Sequence, residues 1–453
     1  PVDCAICDQA GECKLQDYYQ RFDFRPSRLD GEKLLRNKRK VLGPTVVLDQ
    51  ERCILCTRCV RFMDEVAKEP QLGVFGRGSS EHIDTFPGKE LTSNYSGNTV
   101  DICPVGALLN RDFRFRARTW FLSAAPSICT GCSRGCSIFV DFLGQDTYRY
   151  RPRENEAINK SWMCDQGRLS YKPLNQHRLA VLMLGRGEDR REASVKETVS
   201  SLTVQFKALA GTQGLAVLAS PVASNEDLLA SLAFARDALG VRSVYVGGRP
   251  EGKGDHFLMT PDKNPNRRGL EWIARGLELA LKPFSELTAA IDSGQVKALY
   301  AIGGEVPADA ASVARTFARL EYFVLQASNE TPVSAQAHVL LPAAVQVEDE
   351  GTFTNLDGVT QRFRRAYPGR ADVKPHWAWA VALAQDFGFP WTHSSAREVF
   401  REWAPKVIEL APFDWEAAAP PLKIARGLNP IPTGADGRPP GHREFGAPRV
   451  RGI

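Results

Sequence analysis

The chain has 453 residues, of which 43% are hydrophobic and 25% charged, with a formal net charge of +5 and eleven cysteines. That length holds two or three domains around buried cores, and no apolar run approaches the ~18 residues of a membrane span. An odd number of tightly spaced cysteines, none of them after Cys164, argues against a disulfide framework and for metal ligation in a reducing compartment.

Residues 1–17, PVDCAICDQAGECKLQD, place Cys4, Cys7 and Cys13 in a C-x2-C-x5-C pattern. Three thiols are one ligand short of a cubane, and an incomplete zinc knuckle is the other reading. The basic run RNKRK, Arg36 to Lys40, is a solvated face or a partner contact, and Val46, Val47 and Leu48 read as a strand. In RCILCTRCVR, Arg52 to Arg61, Cys53, Cys56 and Cys59 recur at every third residue. Such runs curl the backbone around one iron–sulfur cluster and take their last thiolate from a cysteine followed by proline, here Cys103 with Pro104. Ile54, Leu55, Val60, Phe62, Met63 and Val66 fit a short helix carrying the ligands on its first turns. His82, in the long loop before Cys103, reads as an ordinary polar histidine because four thiolates leave no vacancy.

In RDFRFRARTW, Arg111 to Trp120, the alternation of Phe113 and Phe115 with Arg114 and Arg116 predicts a strand with one buried face. Arginines beside anionic clusters stabilise the reduced forms. The third group, SICTGCSRGCSIFVDF followed by WMCDQGRLSY, contributes Cys129, Cys132, Cys136 and Cys164, with Gly131 and Gly135 letting backbone pass close to a bound group. If all eleven cysteines bind as thiolates to three cluster cores of about 2+ each, the positive excess is consumed and the holo-chain is near neutral. Nucleic-acid binding is therefore not expected.

From about Ala180 the pattern becomes α/β. Strands are predicted at GLAVLAS, SVYVGG, VKALYAIGG and EYFVLQAS, with helices between them. One helix starts at a capping box of Ser224 with Asp227 and stops at Gly240. The alternation predicts a parallel sheet with helices on both faces. Gly247, Gly248, Gly252 and Gly254 in GGRPEGKGD match neither a dinucleotide fingerprint nor a P-loop, so no hydride-accepting site is expected. Helices around Trp377 to Phe387 and after Ser394 close the domain, and beyond Ala411 the proline- and glycine-rich composition predicts an extended tail.

The three cysteine patterns together resemble the large iron–sulfur subunit of respiratory complex I, NADH-quinone oxidoreductase, of the bacterial type with an extra [4Fe-4S] site. The third pattern and the stretch His338 to Phe363 also resemble the molybdopterin oxidoreductase superfamily. The resemblance implies an α/β fold with irregular N-terminal iron–sulfur domains and a degenerate molybdopterin-oxidoreductase-like α/β domain. Its divisions are a two-cluster [4Fe-4S] domain over 1–120, a third [4Fe-4S] domain over 121–180, an α/β domain without an active molybdenum site over 181–410, and a tail over 411–453. It implies three [4Fe-4S] clusters: one on Cys4, Cys7 and Cys13 with a histidine just upstream of Pro1, one on Cys53, Cys56, Cys59 and Cys103, and one on Cys129, Cys132, Cys136 and Cys164. It further implies a [2Fe-2S] cluster on an N-terminal part absent from this chain, no molybdopterin and no catalytic residue. Gln166 stands where catalytic molybdenum relatives have a lysine. The implied role is passing single electrons from a flavin-bearing, NADH-oxidising subunit through other iron–sulfur and quinone-proximal subunits towards quinone. The implied place is the peripheral arm on the cytoplasmic side of the bacterial inner membrane, with membrane association only through the membrane arm. The rival readings are the iron–sulfur part of an NAD-linked formate dehydrogenase, a soluble hydrogenase subunit, and a zinc scaffold.

Overall fold

The computed structural model describes residues 3–22, 31 and 34–417. It divides into two compact units, the first made of the described residues up to Ser123 and the second beginning at Ala124.

The first unit is irregular. It holds α1 (Lys14–Phe22), a three-stranded antiparallel sheet of β1 (Lys40–Val41), β2 (Val46–Leu48) and a later strand, α2 (Arg58–Arg61), a hairpin of β3 (Leu72–Phe75) and β4 (His82–Thr85), α3 (Gly97–Ile102), and β5 (Leu108–Asn110), which completes the sheet in the order β1-β2-β5. Its buried apolar residues include Val46, Val47, Leu48, Phe62, Met63, Leu108 and Leu109, all nearly solvent-free.

Two local expectations change here. Only Cys59 rides on a helix. Cys53 and Cys56 precede it on a loop in which Leu55 (φ 54) and Thr57 (φ 60) are left-handed, so the chain curls by single strained residues and not by helical turns. The strand expected in RDFRFRARTW is absent: after β5 the chain makes turns over residues 111–116 and a 3-10 turn at Thr119–Phe121. Phe113 is buried but Phe115 is exposed and left-handed (φ 62), so the two phenylalanines share no face. What directs the segment is its polar contacts to the first cysteine loop, described below.

The second unit starts with a three-stranded antiparallel sheet of β6 (Ser123–Ile128), β7 (Ser137–Leu143) and β8 (Asp146–Pro152), followed by the short α4 (Asp165–Leu169). It continues with β9 (Met183–Leu184), β10 (Arg191–Glu192), α5 (Val195–Leu209), β11 (Leu215–Ala219), α6 (Asn225–Asp237), β12 (Ser243–Val246), α7 (Arg267–Gly276), β13 (Ala280–Lys282), α8 (Phe284–Asp292), β14 (Ala298–Ile302), α9 (Ala310–Phe317), β15 (Tyr322–Ala327), β16 (Val339–Pro342), a hairpin of β17 (Gly351–Thr354) and β18 (Thr360–Phe363), α10 (His376–Phe387) and α11 (Ala396–Trp403). The large sheet runs β10-β9-β16-β15-β14-β11-β12-β13, parallel from β16 to β13 with β9 and β10 antiparallel at one edge.

Alternate side chains of each central strand enter separate cores, the period-2 rule for a sheet covered on both faces. Val217 and Ala219 join Leu202, Phe206, Phe234 and Trp379 on one side. Ala216 and Leu218 join Leu287, Phe317 and Phe323 on the other. The capping box forms as the sequence predicts: the Ser224 hydroxyl accepts from Asp227 N, the Asp227 carboxylate accepts from Ser224 N, and Gly240 (φ 71) follows the helix.

The chain leaves β11 for β12 on one side and returns through β14 on the other, so the carboxyl ends of β11 and β14 form a topological switch point. A cavity opens there, lined among others by Ser224, Asp227, Arg249, Gly303, Glu305, Ser328 and His376. At the start of the tail expected from residue 411, Phe413 and Trp415 pack on Phe400, and Trp415 is buried. Residues 418–453, the rest of that expected tail, lie outside the described residues. Among the described residues no helix is long and apolar enough to cross a membrane.

Candidate metal centres

All eleven cysteines are free thiols, and the fold gathers them around three cavities.

Cys129 follows β6 and Cys136 precedes β7, so the loop between them is closed by Cys129 N donating to Cys136 O at 2.8 Å. Cys164 caps α4, its sulfur accepting from Gly167 N at 3.2 Å, and Gly131 N donates to Cys129 Sγ at 3.4 Å. Cys129, Cys132, Cys136 and Cys164 line one cavity with Gly131, Gly135 and Gly167. A Cβ on Gly167 would stand 3.0 Å from Cys129 Sγ and 3.2 Å from Cys164 Sγ, so glycine is what lets the backbone pass there. Gly135 (φ 64) instead packs against Asn355 and Gln361.

In the first unit, α3 ends at Ile102 and delivers Cys103, whose sulfur is faced by the backbone N–H groups of Leu108, Val105 and Ala107. Cys53, Cys56, Cys59 and Cys103 line a cavity otherwise walled mostly by apolar side chains such as Leu48, Ile83 and Leu108. His82 does not line it: its Nδ1 lies 2.9 Å from Ser80 O and its Nε2 faces Asp84.

Cys4, Cys7 and Cys13 line a third, more open cavity together with Arg52, Cys53, Ile54, Val105 and Gly106. Arg52 holds this loop by pairing with Asp3 at 2.7 Å and with buried Asp49 at 3.2 Å. From the other side Arg118 donates to Cys7 O at 2.6 Å and Ala5 O at 2.8 Å, Phe115 N donates to the Asp8 carboxylate at 2.9 Å, and the Thr119 hydroxyl donates to Ala10 O at 3.2 Å. These contacts explain why residues 111–121 wrap the loop instead of forming a strand. Arg114 stacks over Phe115, 4.4 Å from its ring centre. Gly106 comes nearer to a cysteine sulfur than Gly131 or Gly167 does, since a Cβ there would lie 2.2 Å from Cys7 Sγ. Sequence patterns single out neither Gly106, Gly167, Arg118 nor Arg249, because their roles exist only once distant segments meet.

Burial pushes the Cys59 thiol up to about 12, with Cys103 and Cys53 beside it adding repulsion. Cys164 is raised to about 12 and Cys129 to about 11, again chiefly by burial and then by neighbouring sulfurs. Cys136 is raised well above the usual thiol range by burial and by Cys129, Cys132 and Cys164. Cys129, Cys136 and Cys164, which line one cavity, ionise together only if positive charge stands among them, which is the electrostatics of a metal site. Thiols spaced around a cavity, with backbone N–H groups aimed at the sulfurs, fit the donor set of a polynuclear cluster.

Four family models lie in succession along the chain. "NADH-ubiquinone oxidoreductase-G iron-sulfur binding region" matches residues 1–28, and "NADH-quinone oxidoreductase subunit 3, ferredoxin-like domain" matches 43–109. "NADH-ubiquinone oxidoreductase NDSU1/NuoG-like, 4Fe-4S domain" matches 126–172, and "Molybdopterin oxidoreductase" matches 193–386. Three of these four models are of the large iron–sulfur subunit of NADH-quinone oxidoreductase, and over those residues the chain is similar to that subunit. Curated relatives of this iron–sulfur subunit include the mitochondrial NADH dehydrogenase [ubiquinone] iron-sulfur protein 1 of Solanum tuberosum, 45% identical over 199 residues, 43% of this chain and 26% of the relative. The mitochondrial NADH-ubiquinone oxidoreductase 78 kDa subunit of Candida albicans is 36% identical over 248 residues, 54% of this chain and 34% of the relative. NADH-quinone oxidoreductase subunit 3 of Thermus thermophilus is 37% identical over 251 residues, 51% of this chain and 31% of the relative. The chain spans about a third or less of the length of the relatives it matches. Its matched iron–sulfur domains are of the [4Fe-4S] type, and they stand beside a molybdopterin-oxidoreductase-like α/β domain.

Proposed function

We propose that the chain is a one-electron conduit of NADH-quinone oxidoreductase, holding three [4Fe-4S] clusters on the three cysteine sets. Cys53, Cys56, Cys59 and Cys103 supply all four thiolates of the second cluster, and Cys129, Cys132, Cys136 and Cys164 all four of the third. Cys4, Cys7 and Cys13 supply three of the first, with an imidazole from upstream. The clusters take up and release single electrons; the protein's work is to hold the thiolates, exclude water and aim N–H groups at sulfur. The observation that carries this reading is a shared wall: Cys53, Ile54 and Val105 line both the first and the second cavity, so a short covalent and packed route joins them.

In this reading electrons arrive from a flavin-bearing, NADH-oxidising subunit and leave through neighbouring iron–sulfur subunits towards quinone, in the peripheral arm on the cytoplasmic side of a bacterial inner membrane. A [2Fe-2S] cluster belongs to an upstream segment, and the α/β unit is a scaffold that carries no molybdopterin. The isolated, cluster-loaded chain is expected to be reduced by dithionite and reoxidised by ferricyanide, but to be reduced by NADH only after the flavin-bearing subunit is added. Direct bleaching by NADH alone would contradict the assignment, because it requires a hydride site on this chain.

A further inference from the structure

The glycine-rich run GGRPEGKGD fits no nucleotide fingerprint, yet it builds one of the most constrained loops of the second unit. Gly248 is left-handed (φ 100), and a Cβ there would stand 2.4 Å from Asn264 Oδ1 and 2.8 Å from the Pro221 ring. With the space left open, the fully buried Asn264 side chain clamps the next residue at both ends: its Oδ1 accepts from Arg249 N at 2.7 Å and its Nδ2 donates to Arg249 O at 3.0 Å. Asn264 is fixed in turn by Nδ2 donating to Asp262 at 2.7 Å. This clamp sets the direction in which Arg249 leaves the backbone.

The guanidinium runs from the carboxyl end of β12 to the third cysteine loop. Its Nη1 donates to the carbonyl of Thr130, the residue after Cys129, and at 3.3 Å to Lys263 O. Both acceptors are neutral carbonyls, and no carboxylate pairs with Arg249 among the described ion pairs. Arg134, on the cysteine loop itself, is spent differently: it pairs with Asp357 at 3.3 Å and donates to Leu258 O. Arg249 thus brings an unneutralised full charge, half-buried and held from both ends.

We propose that Arg249 is a positioning residue for the third cluster, held by Asn264 against Thr130 O so that its positive charge stabilises the reduced state and raises that cluster's midpoint potential. The inference rests on the reading that Cys129, Cys132, Cys136 and Cys164 hold a redox-active cluster. A reduced cluster carries one more negative charge than the oxidised one, so a fixed cation in a poorly screened site favours reduction.

The test is a potentiometric titration of the full chain followed by electron paramagnetic resonance, comparing wild type, Arg249→Lys and Arg249→Gln. At the wild-type midpoint, Arg249→Gln is expected to lower the reduced-to-oxidised ratio of the third cluster about tenfold, equivalent to about 59 mV for one electron. Arg249→Lys is expected to stay within about threefold, and the signals of the first two clusters to stay unmoved in both variants. Loss of the third signal in Arg249→Gln with retention in Arg249→Lys supports the same conclusion, because charge is the main difference between them. An intact third signal with an unchanged potential in Arg249→Gln overturns the proposal, as does loss of that signal in both variants, which would make Arg249 a packing residue. A wild-type chain with no third signal would instead remove the underlying cluster assignment.

Discussion

Replacing Cys132 with alanine is expected to cost the second unit several kcal/mol of stability and to weaken assembly, while electron transfer per assembled complex stays close to wild type. The loop that carries Cys132 is a staple between parts of the chain far apart in sequence. Ser133 N donates to Asp262 O and Leu356 N donates to Ser133 O, each at 2.9 Å, while the Ser133 and Thr260 hydroxyls meet at 2.9 Å. Gln361 Nε2 donates to Gly135 O at 2.8 Å, and Asn355 Nδ2 to Arg134 O at 3.2 Å. A bound cluster fixes the loop that all these groups grip, so its binding energy is folding energy for the unit. Loss of a metal site belongs among the few single changes that exceed about 4 kcal/mol, against a total of about 5–15 kcal/mol for a typical protein. At about 2–4 °C per kcal/mol for a large domain, a fall of about 10 °C in melting temperature follows. Thermal unfolding of the purified chain, with turnover normalised to assembled complex, checks this. Unchanged stability with lost electron transfer would instead make the third cluster an electron carrier and not a staple of the fold.

Gly106→Ala is expected to remove the first cluster while leaving the second. The added methyl would lie 2.2 Å from Cys7 Sγ and 3.2 Å from Gln9 Cβ. No rearrangement of neighbours relieves the first contact without turning the Cys7 thiol out of the cavity it lines. The second cavity does not include Gly106, although Val105 next to it lines both. Iron content is therefore expected to fall by about four per chain, one cubane, with one reduced-state signal lost. Retention of both signals would show that Cys7 is not a ligand in the orientation seen here. Loss of both would show that the 103–106 turn holds the two sites as one.

The α/β part was the most legible in the sequence, and for physical reasons. The Ser224 and Asp227 capping box is a local hydrogen-bond exchange, so four consecutive residues contain everything needed to write it. The strands around Val217 and Val324 are apolar on both faces because both faces meet helices, and a continuous apolar run between turn signals says so directly. The iron–sulfur part was legible in its cysteine spacing and little else. Leu55 and Thr57 adopt left-handed conformations that L-residues disfavour, so apolar periodicity pointed to a helix one turn too early. Phe113 and Phe115 alternate with arginines, yet the segment follows Asp8, Cys7 O and Ala10 O, acceptors about a hundred positions away, instead of a strand partner. Gly106 and Arg249 gain their meaning only from Cys7 and Thr130, which the fold brings to them from elsewhere in the chain.

Iron, zinc and acid-labile sulfide quantitation on the purified chain, combined with electron paramagnetic resonance of the reduced sample, tests the central claim most directly. Three cubanes require about twelve irons with matching sulfide per chain and three distinguishable reduced-state signals, and that is the expected result. Zinc in place of iron, without sulfide and without a reduced-state signal, would contradict it.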